Sequence, residues 1–350
     1  MPRPPAPTAP ARPRHRLIEL LPPPETGVAT RPERPHRPRW GLAALLFALT
    51  LATTTTLGSV WALYLHPTYL ADVGPWLSPR TLSYVWGDPW RLSLGLAFAL
   101  PALGILLCHE LGHYVACRFY RLPSTVPYFL PLPIGLGTLG AFIRIRAPIR
   151  CRRQLFDVGV AGPLAGFVAL LPFLFLGVAW SEPVEVSLLA GPDDAAPAGR
   201  LPVGLWVPGR SLALSAVSRL LHGPLPDGTF LHLHPFALAA WFGLLVTAIN
   251  LLPVGQLDGG HILYAVNARL QRKVALPAWL GLAAAALLFP GWIVWCLILL
   301  LMGLPHPPVR DETRELGPGR TALAWAALAI LVVSFMPVPV EQWAITIPRP

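Results

Sequence analysis

Long blocks that are apolar all round, rather than striped on one side, dominate the chain. Trp40–Leu65 runs without a charged residue, and about 20 such residues in a helix cross a hydrocarbon layer of roughly 30 Å. Further blocks cover Leu92–Cys108, Val158–Trp180, Pro235–Leu252, Ala275–Leu304 and Thr321–Val340. A helix without a polar face belongs in lipid or in a large core. Several blocks reach span length, so the pattern predicts an α-helical polytopic membrane protein with about six or seven transmembrane helices. Pro290-Gly291 divides Ala275–Leu304 into one kinked span or a short hairpin, which leaves the count open.

Two stretches depart from this pattern. In Leu122–Ala147, Pro123, Pro127, Pro131 and Pro133 precede Gly135, Gly137 and Gly140, and Ala141–Arg146 then alternates with period two. Prolines so spaced break a helix and the alternating tail reads as a strand. The expectation is a short membrane-associated β-hairpin, either re-entrant or simply cytoplasmic, whose edge could pair with an extended peptide. Ser181–His234 reads as a Pro/Gly-rich loop too short for a sizeable folded insert, with Val203–Leu221 an amphipathic segment on the membrane. Asp157 reads as a helix cap. Gly162 and Gly166 read as a small-residue packing pair.

Charge orients the blocks. Only 13% of residues are charged, against about a quarter in soluble proteins, and mean hydropathy is +0.55. The net charge of +10 gathers in an Arg/Pro-rich arm, residues 1–39, and in short loops, as topology signals do. Nucleic acid is therefore not an expected partner, and the arm is expected to be disordered and cytoplasmic. Arg118, Arg121, Arg144, Arg146, Arg150, Arg152 and Arg153, and later Arg269, Arg272 and Lys273, mark the cytoplasmic side. The balanced loop 181–234 falls outside. The organisation expected is arm 1–39, first span and outside loop 40–89, membrane core 90–273 with the β segment 122–147, and C-terminal spans 274–350. Four cysteines without CxxC spacing read as structural thiols. A Lys-poor, Arg-, Ala- and Pro-rich chain points to a bacterial inner membrane.

The chemistry gathers at His109-Glu110-Leu111-Gly112-His113. Histidines at i and i+4 share a helical face and can hold one metal ion, and the Glu between them can hold a water and take its proton. Charged and metal-binding side chains at membrane depth mark function by default. A catalytic zinc needs a third protein ligand. Asp258 is the one acidic residue in the apolar run 235–266; Pro253, Gly255, Gly259 and Gly260 would bend the chain around it. Asp258 is also placed to cap a following helix from Gly259 to Leu270, a role that does not exclude ligation. His261, Cys117 and Cys108 are alternative ligands, while His232 and His234 lie towards the outside loop.

With Asn250, Pro253, Leu257, Asp258 and Gly259 downstream, the His-Glu motif resembles the site-2 protease family of intramembrane zinc metalloproteases. The likeness covers about Leu92–Leu270, and Phe156–Gly166 is similar to the family's third core span. The resemblance implies Zn²⁺ held by His109, His113 and Asp258, with Glu110 as catalytic acid/base. It implies Asn250 near the substrate and a re-entrant hairpin that pairs with an extended substrate near Gly140. The chain resembles the branch without a PDZ domain. The implied activity is hydrolysis of peptide bonds in or near transmembrane segments of membrane proteins. The competing reading is a metal-binding transporter or scaffold without hydrolysis. A membrane zinc peptidase with a Glu third ligand would need Glu312, Glu315 or Glu341, all outside the apolar core.

Overall fold

The computed structural model describes residues 39–64, 78–185, 187–188, 200–226, 228–312 and 315–348. Arg39–Pro350 forms one compact unit. The basic arm predicted to be disordered lies outside the described residues, except for Arg39.

Helix α1 (Trp40–Tyr64) is followed by a short α2 (Pro79–Trp86) and a long α3 (Pro89–Phe119). Asp88 starts α3: its carboxylate accepts from the Trp90 amide at 2.9 Å, and Pro89 occupies the first turn, where an amide would lack a partner. α3 continues well past Cys108, so the His-Glu motif lies inside a helix rather than at its end.

Strands β1 (Tyr128–Pro131) and β2 (Thr138–Phe142) form an antiparallel hairpin with Leu130 opposite Gly140. The strand lies earlier than the alternation at 141–146 predicts. Pro123 and Pro127 lack amides, so beyond Phe142 the ladder thins to isolated bonds, Thr125 N–H to Arg144 O at 3.0 Å and Arg146 N–H to Pro123 O at 2.8 Å.

Helix α4 (Arg152–Ala179) begins at Cys151, so Asp157 is no cap but lies a turn and more inside the helix. Beyond it come β3 (Glu182–Glu185), β4 (Ser187–Leu188), β5 (Arg200–Pro208), α5 (Leu212–His222) and β6 (Thr229–His232). Helices α6 (Pro235–Asn250), α7 (Asp258–Val266), α8 (Ala268–Ala285), α9 (Trp292–Met302) and α10 (Pro318–Ser334) follow, and β7 (Val340–Pro348) ends the described chain.

Segment 181–234 is more structured than expected. β3 pairs with β6, and β7 lies between β4 and β5. The partner strand comes from the far C-terminus, a non-local pairing that local pattern cannot reveal. For the same reason the last apolar block ends at Ser334, and Val340 belongs to a strand. Val203–Leu221 is correspondingly split, with a strand to Pro208 and a helix from Leu212. Ala275–Leu304 resolves into two helices broken around Pro290.

α4 packs against α3, α6 and α7 and is the hub of the helical part. Phe98, Leu170, Leu174 and Trp241 are fully buried there, whereas Val115, Phe119, Val168, Leu287 and Leu301 stay exposed. That outer apolar belt fits lipid far better than water. The protein is mostly helical, and among the described residues three helices (α1, α3 and α4) are long and apolar enough to cross a membrane.

Candidate metal centre

One turn apart on α3, His109 and His113 bring their Nε2 atoms to 3.1 Å from each other. Asp258, the first residue of α7, meets them with Oδ2 at 3.2 Å from His109 Nε2 and 3.4 Å from His113 Nε2. His113 Nδ1 lies 2.7 Å from the Val158 carbonyl. A carbonyl can only accept, so Nδ1 carries the hydrogen and Nε2 turns a lone pair towards Asp258. Three donor atoms thus face one point in a site where His109, Glu110 and His113 are each less than a tenth exposed.

Such a set wants a cation at its centre. A tetrahedral ion with N and O ligands at about 2.0–2.2 Å would hold those atoms about 3.3–3.6 Å apart. The three edges, 3.1, 3.2 and 3.4 Å, are that triangle slightly contracted. Asp258, His109 and His113 are the one such group among the described residues. The carboxylate of Glu110 lies near the backbone of Ile143, just beyond β2.

Glycine makes the close approach possible. A Cβ on Gly162 would strike the His113 imidazole, and one on Gly166 would come within 3.1 Å of His109 Cβ. On the facing helix, a Cβ on Gly112 would meet the Ala161 carbonyl. Gly259 brings α7 under the end of α6, since a side chain there would collide with the Leu251 carbonyl. Arg152 then fastens the other end of α7, donating from Nε to Ala265 O at 2.7 Å and from Nη2 to Val266 O at 2.5 Å. These helix-terminal carbonyls lack intrahelical partners, so a guanidinium is well matched to them.

The remaining candidates lie elsewhere. His261 puts Nδ1 2.7 Å from Nε2 of His306, a loop residue whose imidazole is held below its usual pKa by burial. Cys117 is buried in an apolar cluster with Leu122 and Val158. His232 contacts the Ala62 carbonyl at 3.3 Å, and His234 accepts the Phe236 amide at the start of α6. Asn250 is the half-buried last residue of α6. Gly140 adopts φ +104° beside open space in β2.

Sequence reading missed the supporting residues Val158, Ile143 and Arg152, which act through backbone groups. It registered Gly162 and Gly166 as packing, and the structure shows what they pack against. A second polar cluster, also unforeseen, joins the same helices. Arg320 of α10 clasps Asp157 of α4 with two bonds, at 2.8 and 2.7 Å, while Tyr120 donates to the same carboxylate. Burial and that carboxylate raise the Tyr120 pKa.

Residues 97–288, more than half the chain, match peptidase family M50. The chain belongs to peptidase family M50. The matched segment holds α4, α6, α7, the His-Glu motif and Asp258, and begins after α1 and α2. Among curated proteins, "Probable zinc metalloprotease EGY1, chloroplastic" of Arabidopsis thaliana is 31% identical over 306 residues, 85% of this chain and 53% of the relative. "Probable zinc metalloprotease EGY2, chloroplastic" of Oryza sativa subsp. indica is 32% identical over 250 residues, 70% of this chain and 43% of its own. The chain spans about half the length of these relatives of the M50 family.

Proposed function

We propose that this M50 protein is a membrane-embedded zinc metalloendopeptidase, with His109, His113 and Asp258 as zinc ligands and Glu110 as the catalytic acid/base. The observation that carries the reading is the triangle of donor atoms 3.1–3.4 Å apart with a buried carboxylate on the neighbouring residue. Relatives named as zinc metalloproteases support the choice of metal. When bound, zinc supplies a Lewis acid that polarises the scissile carbonyl and acidifies a water molecule.

The protein residues do the rest. Glu110 takes the proton of the attacking water and hands one to the leaving amine. The Val158 carbonyl holds His113 in the tautomer that offers Nε2. The substrate is a transmembrane or membrane-proximal segment of another protein. It must unwind, because a helix hides its carbonyls, and the open edge near Gly140 offers strand pairing to the extended form. Asn250 would line the approach.

The packing also supports a topology. Arg152 reaches the Glu312 carbonyl at 3.2 Å and Arg153 the Glu315 carbonyl at 2.7 Å. The segment before α10 thus lies beside the start of α4, while β7 after α10 pairs with β5 beyond the end of α4. In this reading α1, α3, α4, α6 and α10 cross the bilayer, and α8 and α9 leave and return on one side. The count is then five plus a hairpin, or seven if the hairpin spans. Domain limits of 1–39, 40–89, 90–273 and 274–350 remain our working division. Composition favours a bacterial cytoplasmic membrane, although the plant relatives carry chloroplastic names.

Glu110→Gln tests the chemistry. The variant should keep its zinc and lose cleavage of a membrane-span reporter. If it still cuts in a purified system, the peptidase reading is wrong. The transporter alternative gives Glu110 no task and predicts no cleavage by the wild type either.

A further inference from the structure

Helix α1 precedes the segment matched to the family, yet it holds the turn of the β1–β2 hairpin. Thr53 Oγ1 has three carbonyls in reach, and the nearest is Gly137 O at 2.7 Å, ahead of Leu49 O at 3.0 Å and Thr50 O at 3.1 Å. One hydroxyl hydrogen serves one acceptor best, and here that acceptor is in the hairpin. Trp61, two turns further along α1, donates Nε1–H to Gly135 O at 3.0 Å. Gly137, at φ +89°, lets the turn lie directly on the α1 backbone, because a Cβ there would collide with Thr54 N and Cα. Phe47 adds an edge-to-face contact with Phe129 of β1, ring centroids 5.2 Å apart.

This is a costly arrangement to leave unmade. Thr53 lies roughly 20 Å along α1 from Trp40 at 1.5 Å per residue, so the turn carbonyls meet α1 in its middle and beyond. At that depth an unbonded carbonyl has no water to turn to; Gly137 O also accepts the Leu132 amide at 3.1 Å, so that cost falls chiefly on Gly135 O, which Trp61 serves. Two other hydroxyls of α1 are engaged elsewhere: Thr56 accepts from Trp86 Nε1 at 3.1 Å, and Ser59 donates to Arg91 O at 2.9 Å. Thr53 and Trp61 therefore form a two-point clamp on the turn, and β2 leads from that turn to Phe142, one residue before Ile143, whose backbone lies near Glu110.

We propose that Thr53 and Trp61 are positioning residues: their bonds to Gly137 and Gly135 fix the hairpin edge that receives the extended substrate in register with Glu110. The proposal rests on the peptidase reading above for its effect on cleavage, and on the structure alone for its effect on the hairpin.

The experiment compares full-length wild type, Thr53→Ser, Thr53→Val, Trp61→Phe, the Thr53→Val/Trp61→Phe double variant and Glu110→Gln in detergent. The substrates are a single-span fluorescent reporter and a short unstructured quenched peptide. Amide hydrogen exchange over residues 128–143 and zinc content are read on the same samples. With two hydrogen bonds lost, the double variant should raise KM for the span reporter and for the peptide roughly tenfold, with kcat little changed on either. Hairpin exchange should quicken while zinc content holds, and Thr53→Ser should match wild type. Unchanged KM and exchange in the double variant would overturn the proposal, as would Thr53→Ser behaving like Thr53→Val. If wild type and Glu110→Gln cut alike, the peptidase reading fails, and the exchange data still decide whether the clamp exists.

Discussion

Two polar clusters, one half-buried and one buried, occupy the interface of α3 and α4, and they are built on opposite principles. At the level of Asp157, a guanidinium meets a carboxylate along two bonds and a phenol fills a further lone pair. Every donor there has an acceptor, so the cluster closes on itself and ties three helices together. At the level of His113, two imidazole nitrogens and a carboxylate oxygen all offer electron pairs to one point. Among the described residues no Lys or Arg side chain pairs with that carboxylate. Closed complementarity makes a strut, whereas an unbalanced set of donors makes a cation site. Proximity alone does not tell the two apart; the count of donors against acceptors does.

The largest expected effect tests that distinction. Asp258→Asn removes the charge and one lone-pair oxygen from the donor triangle. Bound zinc, measured by metal analysis of purified protein, should fall to background and cleavage with it. The loss should exceed the roughly 10–100-fold that outer hydrogen-bond partners contribute. Asp157→Asn, which removes a carboxylate from the strut instead, should leave zinc in place. Equal zinc in wild type and Asp258→Asn would erase the contrast between the clusters. Next in size is Gly162→Ala. Ala favours a helix by up to about 1 kcal/mol, but here the added methyl presses on the His113 ring. Zinc affinity should drop by about 10-fold or more, read by competition with a chelator. Gly104→Ala, where nothing lies within 4 Å of the new methyl, is the matched control and should bind zinc normally.

Legibility in the sequence followed the range of each interaction. His109 and His113 are joined by helical periodicity, so their shared face follows from spacing. The apolar blocks behind α1, α3, α4 and α6 were equally plain, since length and composition are local properties. Asp258 could be nominated because it is the lone acid of its apolar run, but nothing local brings it to α3. That requires Gly259 under Leu251 and Arg152 on the end of α7, contacts between distant segments. β7 is the extreme case: its partners β4 and β5 lie far back in the chain, and an apolar run with strand character looks like the end of a span. Asp157 misled for a related reason. A carboxylate near the start of an apolar block resembles a cap until its partner, Arg320, is known. Charge pairing over long separation leaves no periodic mark.

The smallest effect concerns the strut itself, and it fixes what the closed cluster is for. Breaking a fully buried ion pair costs about 3–5 kcal/mol, but here the side chains of Arg320 and Asp157 are 31% and 24% exposed, and solvent screens the pair. A loss of about 1–2 kcal/mol is therefore expected from Asp157→Asn or Arg320→Gln, read as a lower unfolding midpoint in detergent. The two changes should be strongly non-additive, because each already removes the bidentate contact. Zinc content should stay at the wild-type level in both single variants and in the double. A strut gives that result, since it acts on the stability of the helix assembly and not on the donor triangle. Additive losses would mean that Asp157 and Arg320 stabilise the fold through separate contacts, and loss of zinc in either variant would make the two clusters one site.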